Sequence, residues 1–297
     1  MQFNNVTELV NLCETHNFPI WEVMVRQEIH LTERSREEII EDIEHKVDVM
    51  EASIARGDTG VTSYSGLSGG DARKMFDYKQ SGKGLSGDFV LEAISAALAV
   101  NEVNAAMGVI CATPTAGSAG VVPALLSACS KKMDLTLEQK VQFVLTAGAM
   151  GLCIGNQAPL AGASGGCQAE VGSASGMAAA AMTYIAGGSP QQSADALAMA
   201  LKNILGLVCD PVAGLVEIPC IKRNAMGVVN AIAAAEMALA GIESKIPADE
   251  VIQTMGHIGQ LMPAALRETA LGGLASTATG KRYAEELANK REETLSD

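Results

Sequence analysis

Apolar residues recur along most of this chain at intervals of three and four, the spacing of one helix face, and almost nowhere at intervals of two. The clearest run is Ile39, Ile43, Val47, Met50 and Ile54. It predicts an amphipathic helix to about Arg56, opened by Ser35 and Glu38 in the arrangement of a capping box, with acidic residues on the solvated face. Pro19 suits the first turn of an earlier helix ending near Ile29. A short helix is expected over Asp71 to Gln80, and a long apolar one from Ser86 to about Gly108. Others follow near Pro123, from Thr136 with Gln139 to about Gly155, and from Cys167 through an alanine-rich stretch to about Ala186. Ser189-Pro190-Gln191-Gln192 combines an N-cap, a proline at the first helical position and a glutamine at the third, and so starts another. Two more helices are expected over residues 222–241 and 248–261. The pattern therefore predicts an all-α fold.

No linker divides the chain, so residues 1–280 are read as a single domain of packed Ala/Gly-rich helices. The charged tail, residues 281–297, is expected to fray. Four loops punctuate the helices: residues 57–70, 113–120, 156–166, and the stretch holding Cys209-Asp210-Pro211 and Pro219-Cys220. Each leads into a helix N-terminus, where unpaired N–H groups and a partial positive charge favour anions and thiolates.

Composition narrows the function. The residues are 48% hydrophobic but only 3% aromatic, with 30 glycines, which implies helices in close approach. A mean hydropathy of +0.20 raises the question of a membrane span. The richest runs, Met177 to Ile185 and Val228 to Ile242, fall short of the roughly 20 apolar residues required. Residues 1–15 carry Glu8 and Glu14 and lack the basic and apolar regions of a signal peptide, so a cytoplasmic protein is expected. A net charge of −13 argues against nucleic acid. The seven cysteines, at 13, 111, 129, 153, 167, 209 and 220, include no C-x-x-C, which removes zinc-ribbon, thioredoxin and ferredoxin-type motifs. Read by spacing alone they behave as reduced, small apolar residues. Gly82-Lys83-Gly84 lacks the flanking residues of a phosphate loop, and Gly162 to Gly166 is not a dinucleotide fingerprint.

Longer motifs are more specific. Asn101-Glu102-Val103-Asn104-Ala105-Ala106-Met107-Gly108 and Thr113-Pro114-Thr115-Ala116-Gly117-Ser118-Ala119-Gly120 resemble the iron–sulfur L-serine dehydratase family. So do Gly166-Cys167-Gln168-Ala169-Glu170-Val171-Gly172, Cys209-Asp210-Pro211-Val212-Ala213-Gly214-Leu215-Val216, Pro219-Cys220-Ile221-Lys222-Arg223-Asn224-Ala225 and Arg267-Glu268-Thr269. The likeness runs from about residue 5 to 280 and is to the separate alpha subunit, which a smaller beta subunit completes.

The resemblance implies a [4Fe–4S] cluster on Cys167, Cys209 and Cys220, leaving one iron open to act as a Lewis acid on L-serine. Water elimination would give aminoacrylate, then pyruvate and ammonia, without pyridoxal phosphate. Asp210, Glu170, water or a partner residue remain as fourth ligands. Lys83, Glu102 and Glu170 are the candidates for the catalytic base, with His257 also capable. Thr113, Thr115, Gly117 and Ser118, with Asn104, are the candidates for substrate binding. Lys222 and Arg223 would steady the cluster or touch substrate, or face solvent. Cys13, Cys111, Cys129 and Cys153 match no ligand motif and are read as core or incidental. A lyase acting on cysteine, or a non-catalytic iron–sulfur protein, stays open as an alternative.

Overall fold

The computed structural model describes residues 1–296, with side chains as far as Lys290. Among these residues there are helices and no sheet; the only extended pairings are two isolated bridges, Thr62 with Gly69 and Cys209 with Arg267. The all-α expectation holds. The helices are α1 Val6–His16, α2 Ile20–Thr32, α3 Arg36–Asp58, α4 Asp71–Gln80, α5 Gly87–Ala105, α6 Val121–Met133 and α7 Leu137–Gln157. They continue with α8 Gly162–Gly165, α9 Ser173–Ile185, α10 Pro190–Lys202, α11 Cys220–Leu239, α12 Ala248–Leu261 and α13 Ala278–Ser296. No helix among the described residues is long and apolar enough to cross a membrane.

Three helices begin where the sequence predicts, and for the predicted reason. Ser35 with Glu38, Thr136 with Gln139 and Ser189 with Gln192 all form reciprocal capping boxes. Each satisfies two N–H groups that the helix cannot, an N-cap contributing about 1 kcal/mol. Ser86, by contrast, stands before α5 without a side-chain capping bond, and α5 ends at Ala105 rather than near Gly108. Pro19 lies just outside α2 instead of in its first turn.

Helix α9 is the centre of the molecule. Every residue from Ser173 to Thr183 is buried, and α6, α7, α10 and α11 surround it. A second hub, α5, packs against α3, α4, α6 and α11. Small side chains make these approaches possible: a Cβ on Gly57 of α3 would sit 2.5 Å from the Cα of Ala99 in α5. Any larger residue there would force the two helices apart.

Two segments depart from the expectation. The loop foreseen over residues 156–166 is shorter, because α7 extends to Gln157 and α8 occupies Gly162–Gly165. Cys167 then enters α9 through a π-helical turn, Gln168–Gly172. The charged tail foreseen as frayed is helical from Ala278 to Ser296, and Asp297 lies outside the described residues. The Thr277 hydroxyl caps α13 by accepting from the Gly280 N–H at 3.1 Å, and Arg282 pairs with Glu286 one turn on.

Candidate active site

The three motif cysteines come from three different backbone settings. Cys167 precedes the π-turn, Cys209 lies in extended chain, and Cys220 is the first residue of α11. All three are buried. Polar side chains from distant parts of the chain draw their segments together. Gln168 donates to the carbonyls of Gly165 and Met255, and its own oxygen accepts from the Gly206 N–H at 2.9 Å. Its backbone N–H reaches Leu207 O at 3.0 Å, which lays the chain leading to Cys209 against the Cys167 turn. Cys209 is fixed from the other side, its N–H donating to Leu266 O at 2.9 Å and its carbonyl accepting from Glu268 N–H at 2.7 Å.

Arg223, one turn into α11 from Cys220, donates to Val208 O at 2.8 Å and pairs with Asp210 at 2.9 Å. Asp210 also accepts from the Leu274 N–H at 2.7 Å. One guanidinium thus joins the start of α11 to the Cys209 segment.

The electrostatics follow from this geometry. The Cys209 thiol donates to Cys167 and, with Arg223 nearby, holds Cys167 below the usual thiol range despite burial. Cys209 is pushed up as the donor of that pair, with burial adding to it. Burial pushes Cys220 up to about 12, with Cys167 and Glu170 also facing it.

Glu170 sits on the π-turn and accepts from the Thr115 hydroxyl at 2.8 Å, while its other oxygen lies 4.0 Å from the Cys209 sulfur. Burial raises its pKa above the ordinary carboxylate range, and the charge of Glu268 adds to that. Gly162 shows how tightly these groups converge. A Cβ there would stand 2.7 Å from Glu170 Oε2, 2.9 Å from Cys209 Sγ and 3.1 Å from Glu268 Oε2.

The loop of residues 113–120 closes on Glu170 from the opposite side. Besides the Thr115 bond, the Gly117 backbone comes so near that a Cβ would lie 3.2 Å from Glu170 Oε1. Ser118 is fully buried and donates to Thr113 O at 3.1 Å; Thr113 is buried beside it. Asn224 of α11 ties this loop to the cysteine helix, donating to Gly117 O at 2.7 Å and to Cys220 O at 3.0 Å and accepting from Gly120 N–H at 3.1 Å. Asn104 donates to Ala116 O at 3.2 Å, behind the loop.

The sequence candidates therefore separate. Cys167, Cys209, Cys220, Glu170, Thr115 and Gly117 share one neighbourhood. Glu102 is buried but accepts from the N–H groups of Asp71 at 2.7 Å and Ala72 at 3.2 Å, which makes it the cap of α4. Lys83 is exposed beyond the far end of that helix. Since ten residues span about 15 Å, it is well removed from Glu102. His257 is exposed on α12. Cys13, Cys129 and Cys153 are buried in α1, α6 and α7, and burial alone suffices to raise each thiol. Lys222 pairs with Asp71 at the start of α4 rather than reaching the thiols. Gln168, Asn224 and Glu268 carry the scaffold of the site and were visible only as members of the long motifs.

Among the described residues no three His, Cys, Asp or Glu side chains close around the position of a single metal ion. The donor set is instead three buried thiols whose near partners include one another, Arg223, Glu170 and Glu268. Soft sulfur donors with a fixed cation beside them suit an anionic iron–sulfur group, which is larger than one ion.

An all-α chain with a thiol-lined centre beside a glycine-rich loop is thus defined by structure alone. The profile of the family described as "Serine dehydratase alpha chain" matches residues 15–275. A Bacillus subtilis protein named "Probable L-serine dehydratase, alpha chain" is 58% identical over 96% of this chain and 95% of its own length. The L-serine dehydratase alpha chain of Peptoniphilus asaccharolyticus is 44% identical over 94% of this chain and 96% of its own. Escherichia coli L-serine dehydratase 1 is 37% identical over 92% of this chain, but that match spans only 61% of the bacterial enzyme. The chain belongs to the serine dehydratase alpha chain family.

Proposed function

We propose that this chain is the alpha subunit of an L-serine dehydratase, eliminating water from L-serine to give pyruvate and ammonia. One observation carries the reading: Cys167, Cys209 and Cys220 approach Glu170 and the 113–120 loop, in a chain of this family. Cys167, Cys209 and Cys220 would hold a [4Fe–4S] cluster. When bound, the cluster supplies an iron that draws the departing hydroxyl of serine, an effect of several kcal/mol at metal sites. Of the three candidates for proton transfer, Lys83, Glu102 and Glu170, only Glu170 touches both the thiol group and the loop, and we assign it that role. Thr115 orients its Oε1.

The hydroxyls of Thr113, Thr115 and Ser118, with the backbone of Gly117, would bind the substrate carboxylate where α6 begins, and Asn104 would brace the loop from behind. Loss of the Cα proton and of the hydroxyl gives aminoacrylate, which tautomerises to an imine and is hydrolysed. The relatives support a beta partner. Two are named as alpha chains and are matched almost end to end, whereas the Escherichia coli enzyme carries a further portion in the same polypeptide.

The test is anaerobic reconstitution with iron and sulfide, alone and with the beta subunit, followed by pyruvate assay on serine and on cysteine. Visible cluster absorption and pyruvate from serine are expected. Cys167→Ala, Cys209→Ala and Cys220→Ala should each abolish both, while Cys13→Ala and Cys129→Ala should keep both. Loss of absorption in the second pair and not the first would overturn the ligand assignment.

A further inference from the structure

A cleft of about 850 Å³ opens between the substrate loop and the approach to Cys220. Its walls include Ser65, Asn104, Ala116 and Glu217, with apolar surface from Leu215 and Val216. The three thiols are not among its walls, but Ala116 precedes the Gly117 that contacts Glu170, and Glu217 lies three residues before Cys220. Lys290 of α13 also borders it.

Glu217 is the unusual member. It is only 5% exposed, and the hydrogen-bond donors that meet its carboxylate are neutral. Its carboxylate accepts from the Ser65 hydroxyl at 2.7 Å and the Ser68 hydroxyl at 2.5 Å, both in the glycine-rich loop before α4. A buried carboxylate is costly unless a cation meets it. Two neutral hydroxyls supply hydrogen bonds but no charge, and they leave acceptor capacity on both oxygens, since a carboxylate offers about four lone-pair sites.

The other buried carboxylates nearby are committed. Glu102 caps α4, Asp210 pairs with Arg223, and Glu170 is taken up by Thr115 beside the thiols. Glu268, half-buried next to Cys209, does not line the cleft. L-serine carries one cationic group, its α-ammonium.

We infer that Glu217 is the specificity-determining residue that receives the α-ammonium group of the substrate, held in orientation by Ser65 and Ser68. The inference rests on the dehydratase reading above. It makes the site selective for α-amino acids over hydroxy acids of the same shape. Glu217→Gln keeps the size of the side chain and removes its charge.

The test uses the holoenzyme with its beta subunit, measuring KM for L-serine and the inhibition constant of L-glycerate, which has a hydroxyl in place of the ammonium. In Glu217→Gln the serine KM should rise at least about tenfold, the scale of one charge-assisted hydrogen bond, while the glycerate constant stays within about twofold. Glu217→Asp, which keeps the charge, should recover part of the serine KM, and Glu250→Gln, on the exposed face of α12 and outside the cleft, should leave it unchanged. Equal shifts for serine and glycerate, an aspartate variant no better than the glutamine one, or a selective loss in Glu250→Gln would each overturn the assignment. A wild-type holoenzyme that forms no pyruvate from serine defeats the dehydratase reading itself, and the assignment falls with it.

Discussion

Replacing Gly162 by alanine sets two physical effects against each other at the site. Gly162 opens α8 with a backbone that alanine can adopt, so helix propensity alone favours the substitution by up to about 1 kcal/mol. The added methyl, however, would stand 2.7 Å from Glu170 Oε2, 2.9 Å from Cys209 Sγ and 3.1 Å from Glu268 Oε2. Three atoms from three segments cannot all retreat without moving the π-turn, the extended chain at Cys209 or the residues after Arg267. Overpacking of this kind costs about 1–3 kcal/mol, so the net expectation is destabilisation of up to about 2 kcal/mol. Gly148 of α7 is the control, because a Cβ there meets nothing within 4 Å. Gly148→Ala should stabilise by about 0.5–1 kcal/mol. Urea unfolding of the metal-free chain reads both, and visible absorption after reconstitution reads the site. Gly162→Ala should bind cluster poorly and Gly148→Ala normally. A Gly162→Ala protein as stable as the wild type, with full cluster absorption, would refute the convergence of Glu170, Cys209 and Glu268 on that point.

Three further outcomes follow from side chains that stitch the loops together. Arg223→Met should destabilise by about 3–5 kcal/mol in urea unfolding, because Asp210, with 4% of its side chain exposed, loses its cation and Val208 O its donor. Asn224→Ala strands Gly117 O and Gly120 N–H, at about 1–3 kcal/mol, and should raise the serine KM by loosening the loop; an unchanged KM would mean the loop does not bind substrate. Burial of Asp249 would by itself raise its pKa, but donors from Val6, Thr7 and Gln157 outweigh it and the net shift is downward. A carboxyl depressed in the folded state stabilises above its unfolded value, about 3.9, and that stability is lost as pH falls through the folded value. Asp249→Asn should therefore flatten the acid limb of the stability curve below about pH 4, and an unaltered limb would remove Asp249 as its source.

What could be read from the sequence follows the range of the forces involved. Capping boxes at Ser35, Thr136 and Ser189 are complete within four residues, so the starts of α3, α7 and α10 were legible. The π-turn at Gln168–Gly172 was not, since its side chains meet distant partners, Glu170 reaching Thr115 across 55 positions. Nor was α13, since a charged stretch reads as solvated whether or not it is helical. In the site, the cysteine motifs were legible as motifs, but Glu102 and Glu170 looked alike. Only their partners distinguish them: two backbone N–H groups at a helix start for one, a hydroxyl and a thiol for the other.

The same reasoning explains why the scaffold is polar in so apolar a chain. Helices packed through alanine and glycine fix the distance between axes but leave the connecting loops unspecified, since small side chains offer few distinguishable fits. Directional bonds must then set the loops. Gln168 reaches Gly206 across 38 positions and Met255 across 87, and Asn224 reaches Gly117 across 107. Each is buried, so a misplaced loop would leave an unsatisfied group and be penalised by more than any apolar mismatch of similar size. Register of the cysteine segments is therefore enforced by glutamine and asparagine side chains rather than by the thiols.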